Sequence, residues 1–270
     1  MTAARRPIVH HIPVCPFSQR LEILLELKGC RDAVEFRVVD ITRPRPPELL
    51  ALTRGLSALP VLQTDDGTVL RESLVVLRYL DERFAAHPVA QADPLRRAVE
   101  NLLATHERDF GNQGYALLMN RDPVRRTALH EALLAQYARL DDFLRQYGDS
   151  GPWLFECFGW AETVFAPLFM RFWFLDYYEG WALPADAAFD RVRSWVQACV
   201  THPAAQQVCR EEIVKLYADY AQGAGNGALP AGRQRSSFVF EPGWRQRPWP
   251  PRDKNGAVPG DAELGLLSAG

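Results

Sequence analysis

Apolar and polar positions follow two different periods along this chain, and the period changes once. In the first 85 residues, short apolar runs of strand type take turns with helical spacings. Residues 8–12 read as a strand. A helix then opens at Pro16, with Leu21, Leu24, Leu25 and Leu27 at helical spacing until Gly29 stops it. A second strand follows at 34–39, a short helix at 46–53, and a hairpin from 59–63 to 68–70 that turns on Asp66-Gly67. A third helix covers 73–84. The order β-α-β-α-β-β-α predicts a mixed sheet with helices on its faces.

That order is thioredoxin-like, so residues 1–85 are expected to form a thioredoxin-like α/β domain. Beyond a connector rich in Ala, Pro and His, the spacing turns helical throughout: 94–119, 123–147, 161–178, 189–201 and 204–221. Several of these segments begin or end at prolines, whose missing N–H is tolerated in a first helical turn. Residues 94–222 are therefore expected to form an all-α domain. Residues 223–270 hold nine of the 18 glycines and six of the 20 prolines, which marks the end of regular structure. Phe238, Phe240, Trp244 and Trp249 give this stretch more aromatic surface than a disordered tail carries. It is expected to wrap in extended form over the body.

Composition narrows the function class. The 270 residues carry 31 Lys+Arg against 33 Asp+Glu, a formal charge of −2, with 47% apolar and 24% charged positions, as in ordinary folded domains. Without a basic excess there is no electrostatic footprint of a nucleic-acid binder. The longest apolar stretch, 160–175, is interrupted by Glu162 and Arg171 and falls short of the roughly 20 continuous apolar residues a membrane span needs. It reads as a buried helix. Residues 1–11 have two arginines but no apolar segment behind them, unlike a secretory signal, and a reducing cytoplasm is the expected location. Five scattered cysteines (Cys15, Cys30, Cys157, Cys199 and Cys209) have neither disulfide-framework nor metal-ligand spacing, so no metal is expected. Cysteine chemistry here is expected to be thiol chemistry.

Cys15-Pro16-Phe17-Ser18 sits where the first strand turns into the first helix. A sulfur at a helix N-cap meets the positive end of the helix dipole, which favours a thiolate. Pro16 suits the first turn, and the Ser18 hydroxyl is expected to hydrogen-bond the sulfur. Because the fourth residue is Ser18 and not a second Cys, the site cannot close its own disulfide, and a lone thiolate needs an external thiol for release. A small thiol such as glutathione is the expected partner. Ala58-Leu59-Pro60-Val61 places proline at the head of a strand, where a cis bond would free backbone groups for an added peptide-like strand along Val61. Glu72-Ser73 puts a carboxylate and a hydroxyl at a helix N-terminus, suited to an α-amino and an α-carboxylate group. Ser73 alone reads more readily as a helix cap, and it is the three pieces together that favour the ligand-binding reading.

Together these residues resemble the glutathione transferase superfamily, through Cys15-Pro16-Phe17-Ser18-Gln19-Arg20, Leu59-Pro60-Val61 and Glu72-Ser73. Gly159-Trp160-Ala161-Glu162 occupies the place of the family's Ser/Thr-x-x-Asp capping box, but glycine has no capping side chain, so half of the reciprocal bonding is expected. A cysteine in the first-helix motif is similar to the omega class, to dehydroascorbate reductases and to the soluble form of intracellular chloride channel proteins. The motifs His11-Ile12-Pro13, Phe174-Leu175-Asp176-Tyr177-Tyr178-Glu179, Gln222-Gly223 with Gly225-Asn226-Gly227, and Pro250-Pro251-Arg252-Asp253-Lys254 go further. They look like the omega-like glutathione lyases of bacterial lignin β-aryl ether degradation.

That resemblance implies removal of glutathione from an α-keto aryl thioether of the glutathionyl-hydroxypropiovanillone type, through a Cys15–glutathione mixed disulfide, yielding the ketone and oxidised glutathione. It implies glutathione as co-substrate, held by Pro16, Phe17, Ser18, Leu59, Pro60, Val61, Glu72 and Ser73. The aromatic conjugate would lie in the helical domain, lined by Tyr115, Trp173, Tyr217 and Tyr220, with Tyr217 the candidate donor to the enolate. The same residues also read as packed core. A homodimer is the family's usual assembly. Two other functions compete: a general omega-like thiol transferase or dehydroascorbate reductase, which needs no enolate donor, and a non-catalytic glutathione-fold protein used for binding or membrane insertion.

Overall fold

The structure is a computed structural model that describes residues 6–267; the first five and the last three positions of the expected first domain and tail lie outside the described residues. Its first half runs β1 (Ile8–His11), α1 (Pro16–Leu27), β2 (Glu35–Val38), α2 (Pro47–Leu52), β3 (Val61–Gln63), β4 (Val69–Leu70) and α3 (Ser73–Arg83). The strand order is β2-β1-β3-β4, with β1 parallel to β2 and antiparallel to β3, and β3 antiparallel to β4. This is a thioredoxin-like sheet.

The register has a consequence for the site. His10 pairs with Val61 and Leu62 with Leu70, so the end of β1, the start of β3 and the end of β4 lie along one edge of the sheet. The segments carrying Cys15, Leu59-Pro60 and Glu72-Ser73 leave the sheet at that edge.

The second half contains α4 (Pro94–Ala104), α5 (Glu107–Met119), α6 (Pro123–Tyr147), α7 (Trp160–Arg171), α8 (Trp173–Glu179), α9 (Asp190–Thr201), α10 (Arg210–Leu216) and α11 (Ala218–Ala221). Local chemistry explains two of the starts. Asp93 and Asp122 each precede a first-turn proline and accept from Arg96 N at 2.8 Å and Val124 N at 2.9 Å.

Three of the helices expected from spacing are broken. Residues 94–119 divide at Thr105 and His106, where Thr105 Oγ1 turns back to Leu102 O at 2.7 Å. Residues 161–178 divide at Phe172, whose ring lies against Gly114 of α5 so closely that a Cβ there would meet it at 2.1 Å. Residues 204–221 shrink to a 3-10 turn at Pro203–Ala205, α10 and α11. The lost part is held by α1 instead: Gln19 Nε2 donates to Ala205 O at 3.1 Å and to Gln207 Oε1 at 3.2 Å. Tyr217 separates α10 from α11.

Apolar burial joins the two halves, with α1 packed between α3 and α7. Buried ion pairs fix the register. Lys28 Nζ meets Asp81 at 2.7 Å while Asp81 also accepts from Val89 N and Ala90 N, and Arg20 meets Glu107 at 2.8 Å. At the start of α7, Glu162 reaches back to Gly159 N at 2.9 Å, the half box that the glycine permits. Tertiary bonds fix the same carboxylate, because Leu154 N at 2.7 Å and Trp195 Nε1 at 2.8 Å also donate to it. All twelve residues of α7 are buried, and no helix among the described residues is long and apolar enough to cross a membrane.

Described residues beyond Gln222 contain no α-helix or strand, only a 3-10 turn at Trp244–Gln246, yet they are firmly tied down. Lys254 Nζ donates to Leu117 O at 2.8 Å and Leu118 O at 2.6 Å and pairs with Glu179. Ser236 Oγ and Ser237 N each donate to Asp219 at 2.8 Å. Phe238 is buried, and Trp249 stacks on Tyr177 at 5.3 Å.

Candidate functional site

Cys15 is the N-cap residue of α1 and half-exposed. Its carbonyl accepts from Ser18 N and Gln19 N at 3.0 Å, which closes the first turn, and its own amide donates to Ile12 O at 3.0 Å. The side chain takes no part in the cap, so the sulfur is left at the positive end of the helix. The expected bond from Ser18 is not formed: Ser18 Oγ is buried and has no partner among the described residues. Three positions into the helix, the residue lies on the face turned to the protein interior. Pro16 is buried and Phe17 partly exposed.

The Leu59-Pro60 bond is cis. Val61 pairs with His10 on one side, while pairing with β4 begins only at Leu62, so on its other side Val61 has no strand partner among the described residues. Glu72 is exposed and holds φ +63, a region that non-glycine residues enter at a cost of about 1–3 kcal/mol. It also occupies the N-cap position of α3, so Ser73 is the first helical residue and not the cap. The Ser73 oxygen accepts from Arg20 Nη1 at 3.2 Å, which leaves its O–H free to donate outward. The same guanidinium binds Glu107 and, at 3.4 Å, Val164 O, so one buried strut from α1 braces the Ser73 corner.

Next to Cys15 the helical half supplies a cluster of phenols. Tyr217 Oη donates to Val14 O at 3.0 Å, and Tyr115 Oη donates to Tyr217 Oη at 3.3 Å. Tyr220 stands 5.0 Å from Tyr217 between ring centroids and exchanges hydrogen bonds with Asn226 in the tail. Burial pushes the Tyr217 phenol well up, with the nearby Cys15 adding to the shift and Arg171 opposing it. Burial likewise raises Tyr115 and Tyr220. Trp173 does not join: its ring pairs with none of these tyrosines, and Phe174 takes that place, 5.5 Å from Tyr115 and 5.3 Å from Tyr217. Phe238 of the tail closes the group 5.2 Å from Tyr217.

A pocket of about 230 Å³ opens between the β1–α1 loop (Ile12, Pro13, Val14), the segment after β2 (Val39, Ile41), α10 (Glu212, Leu216) and the tail (Phe238, Phe240, Trp244, Arg247). Its walls are mostly apolar with two ionisable groups. Burial holds the Glu212 carboxyl above its ordinary range and pulls the Arg247 guanidinium down to about 10. The tail therefore forms one wall of a space beside the β1–α1 loop that leads to Cys15.

Sequence reasoning missed Arg171. It is fully buried, its Nε donates to Val14 O at 2.7 Å, and neither Nη has a partner among the described residues. The signal was a charge inside the apolar run 160–175, which served only to reject a membrane span. Among the described residues no cluster of three or more His, Cys, Asp or Glu side chains is arranged to hold a metal.

Comparison with known proteins bears on the fold that carries these residues. Residues 9–88 match the family described as glutathione S-transferase, N-terminal domain. A probable glutathione S-transferase of Solanum tuberosum is 26% identical over 207 residues, covering 77% of this chain and 92% of that protein. Glutathione S-transferase omega-1 of Mus musculus is 23% identical over 216 residues, covering 78% and 83%. Among solved structures, glutathione transferase Omega 3C from Trametes versicolor superposes with a TM-score of 0.65 at 20% identity, over 76% of this chain and 89% of that one. Residues 9–88 thus match a glutathione S-transferase N-terminal domain, and over 77–78% of its length the chain is similar to glutathione S-transferases, an omega-class protein among them.

Proposed function

We propose that this protein is a glutathione-dependent thioether lyase that removes glutathione from α-keto aryl thioethers, as the lyase LigG does, whose motifs it resembles. The observation that carries the reading is a lone cysteine at a helix N-terminus with the buried Tyr217, bonded to the partly buried Tyr115, beside it. Glu72 and the Ser73 O–H take the α-amino and α-carboxylate groups of glutathione, and its peptide backbone adds along the open side of Val61. Pro16, Phe17, Leu59 and Pro60 frame that site. The aryl group lies against Tyr115, Tyr217, Tyr220 and the tail.

The Cys15 thiolate attacks the glutathione sulfur of the conjugate. An S–S bond forms, the C–S bond breaks, and its electron pair passes to the carbon and is delocalised onto the ketone oxygen as an enolate. Protonation gives the ketone. A second glutathione thiolate attacks the mixed disulfide, releasing oxidised glutathione and the Cys15 thiolate. The net proton on carbon is that of the second thiol, so atoms and electrons balance.

A second reading is a general omega-like thiol transferase or dehydroascorbate reductase. It is favoured by the omega-class relatives and by the Tyr217 O–H being engaged with Val14 O. Single-turnover mass spectrometry with a phenacyl-type glutathione thioether separates the two. The lyase gives a Cys15–glutathione adduct and free ketone in wild type and neither in Cys15→Ser. An adduct from oxidised glutathione with no ketone from any α-keto thioether leaves the thiol transferase.

A further inference from the structure

Two donors share the carbonyl of Val14, the residue before the nucleophile: Arg171 Nε at 2.7 Å and Tyr217 Oη at 3.0 Å. Either can satisfy it. Arg171 is otherwise unusual, since it is fully buried at the end of α7, lies within 4.0 Å of no carboxylate among the described residues, and leaves both amino groups without partners. A buried guanidinium in that condition is costly, and packing alone would be better served by an apolar side chain. Tyr217 has a second contact that does not depend on Val14, the Tyr115 hydroxyl donating to its oxygen at 3.3 Å.

We propose that Arg171 is a positioning residue for C–S bond cleavage: by holding the Val14 carbonyl through Nε, it frees Tyr217 to turn its O–H from that carbonyl to the ketone oxygen of the bound thioether. The proposal rests on the lyase reading. As the C–S pair collapses onto the ketone, the enolate oxygen takes the Tyr217 proton and leaves a phenolate that accepts from Tyr115. The resulting enol tautomerises to the ketone. The thiol proton of the second glutathione returns to Tyr217 as its sulfur attacks the mixed disulfide. The charge of Arg171 opposes the upward push that burial gives the Tyr217 phenol, which eases the transfer. Without Arg171, Tyr217 is the only one of the two donors left on Val14, so Cys15 stays in place but the donor is held back.

The test compares two reactions of the same cysteine in the full-length protein: ketone release from a phenacyl-type glutathione thioether, and glutathione-dependent reduction of bis(2-hydroxyethyl) disulfide, whose thiolate product needs no enolate donor. Arg171→Met is expected to lose at least tenfold more kcat in ketone release than in disulfide reduction, with KM for the thioether within about twofold of wild type. Arg171→Lys, which keeps a donor and a charge, is expected to recover part of that difference. Equal losses in both reactions would reduce Arg171 to a structural strut and overturn the proposal, as would no loss in either. Tyr217→Phe keeps the ring and removes only the hydroxyl, so it covers the case in which Arg171→Met does not fold. Unchanged ketone release in Tyr217→Phe overturns the proposal on its own. Wild-type protein that reduces the disulfide but releases no ketone overturns the lyase reading itself, an outcome visible before any variant is made.

Discussion

Arg20 and Arg171 are both fully buried, and both hold the boundary between the α/β half and the helical half, yet they are satisfied in opposite ways. Arg20, on α1, finds Glu107 at 2.8 Å, the Ser73 oxygen at 3.2 Å and Val164 O at 3.4 Å. Arg171, on α7, has one bond, to Val14 O. Paired with a carboxylate, a buried guanidinium is a strut, and cutting it leaves an uncompensated charge in the interior. Left unpaired beside the proposed nucleophile, it is, in the role proposed above, polarity kept for the reaction. Removal of the first should therefore fall on folding and removal of the second on turnover.

The largest expected effect tests whether the chemistry beside Arg171 runs through Cys15 at all: Cys15→Ser should lower ketone release by about 10⁴-fold or more, read by product chromatography. Arg20→Met should cost about 3–5 kcal/mol in urea denaturation because Glu107 then stays buried without its partner. Glu100 extends the comparison to a buried acid. Burial, reinforced by the charge of Glu162 and partly offset by the Gln91 amide, holds its carboxyl at about 7 instead of 4.5. Between those pH values the folded protein keeps a proton that the unfolded chain has released, so stability falls as pH rises through that window. The contribution is full below 4.5 and gone above 7, on the order of 3 kcal/mol in all. Glu100→Gln should flatten that slope in a pH series of denaturation midpoints.

Arg171→Met should cost only about 1 kcal/mol in the same assay, since no carboxylate is orphaned and Tyr217 still donates to Val14 O. A loss equal to that of Arg20→Met would break the comparison. The smallest effect sets the baseline. Arg210 and Asp176 form an ion pair open to solvent, and Asp176→Asn should change stability by less than about 1 kcal/mol.

The α/β half was legible in the sequence because its signals are local. Pro16 after Cys15, Gly29 after the last leucine, Asp66-Gly67 between two short runs and the Leu59-Pro60 step each state a backbone geometry within a few residues. The helical half was legible in outline, including 123–147 to the residue, but not at its breaks. Those depend on partners far along the chain: Phe172 on Gly114, and Ala205 and Gln207 on Gln19. Candidate site residues divide the same way. Glu72 and Pro60 announce themselves, while Phe174 displaces Trp173 because the break after Arg171 starts a new helix, and its packing decides which ring meets Tyr115.

By itself, then, the sequence determined the local parts of the candidate site: a thiol without a resolving partner at a helix start, an open strand and a polar helix N-terminus. Each of these is a property of a short segment and its dihedral preferences. The tertiary structure decided what surrounds the thiol. It brought Arg171 to Val14 across 157 positions and Tyr217 across 203, and laid the tail over the pocket that Val14 borders. Such contacts arise only when apolar burial has chosen how α7, α10 and the tail pack on α1, and no local preference encodes that choice.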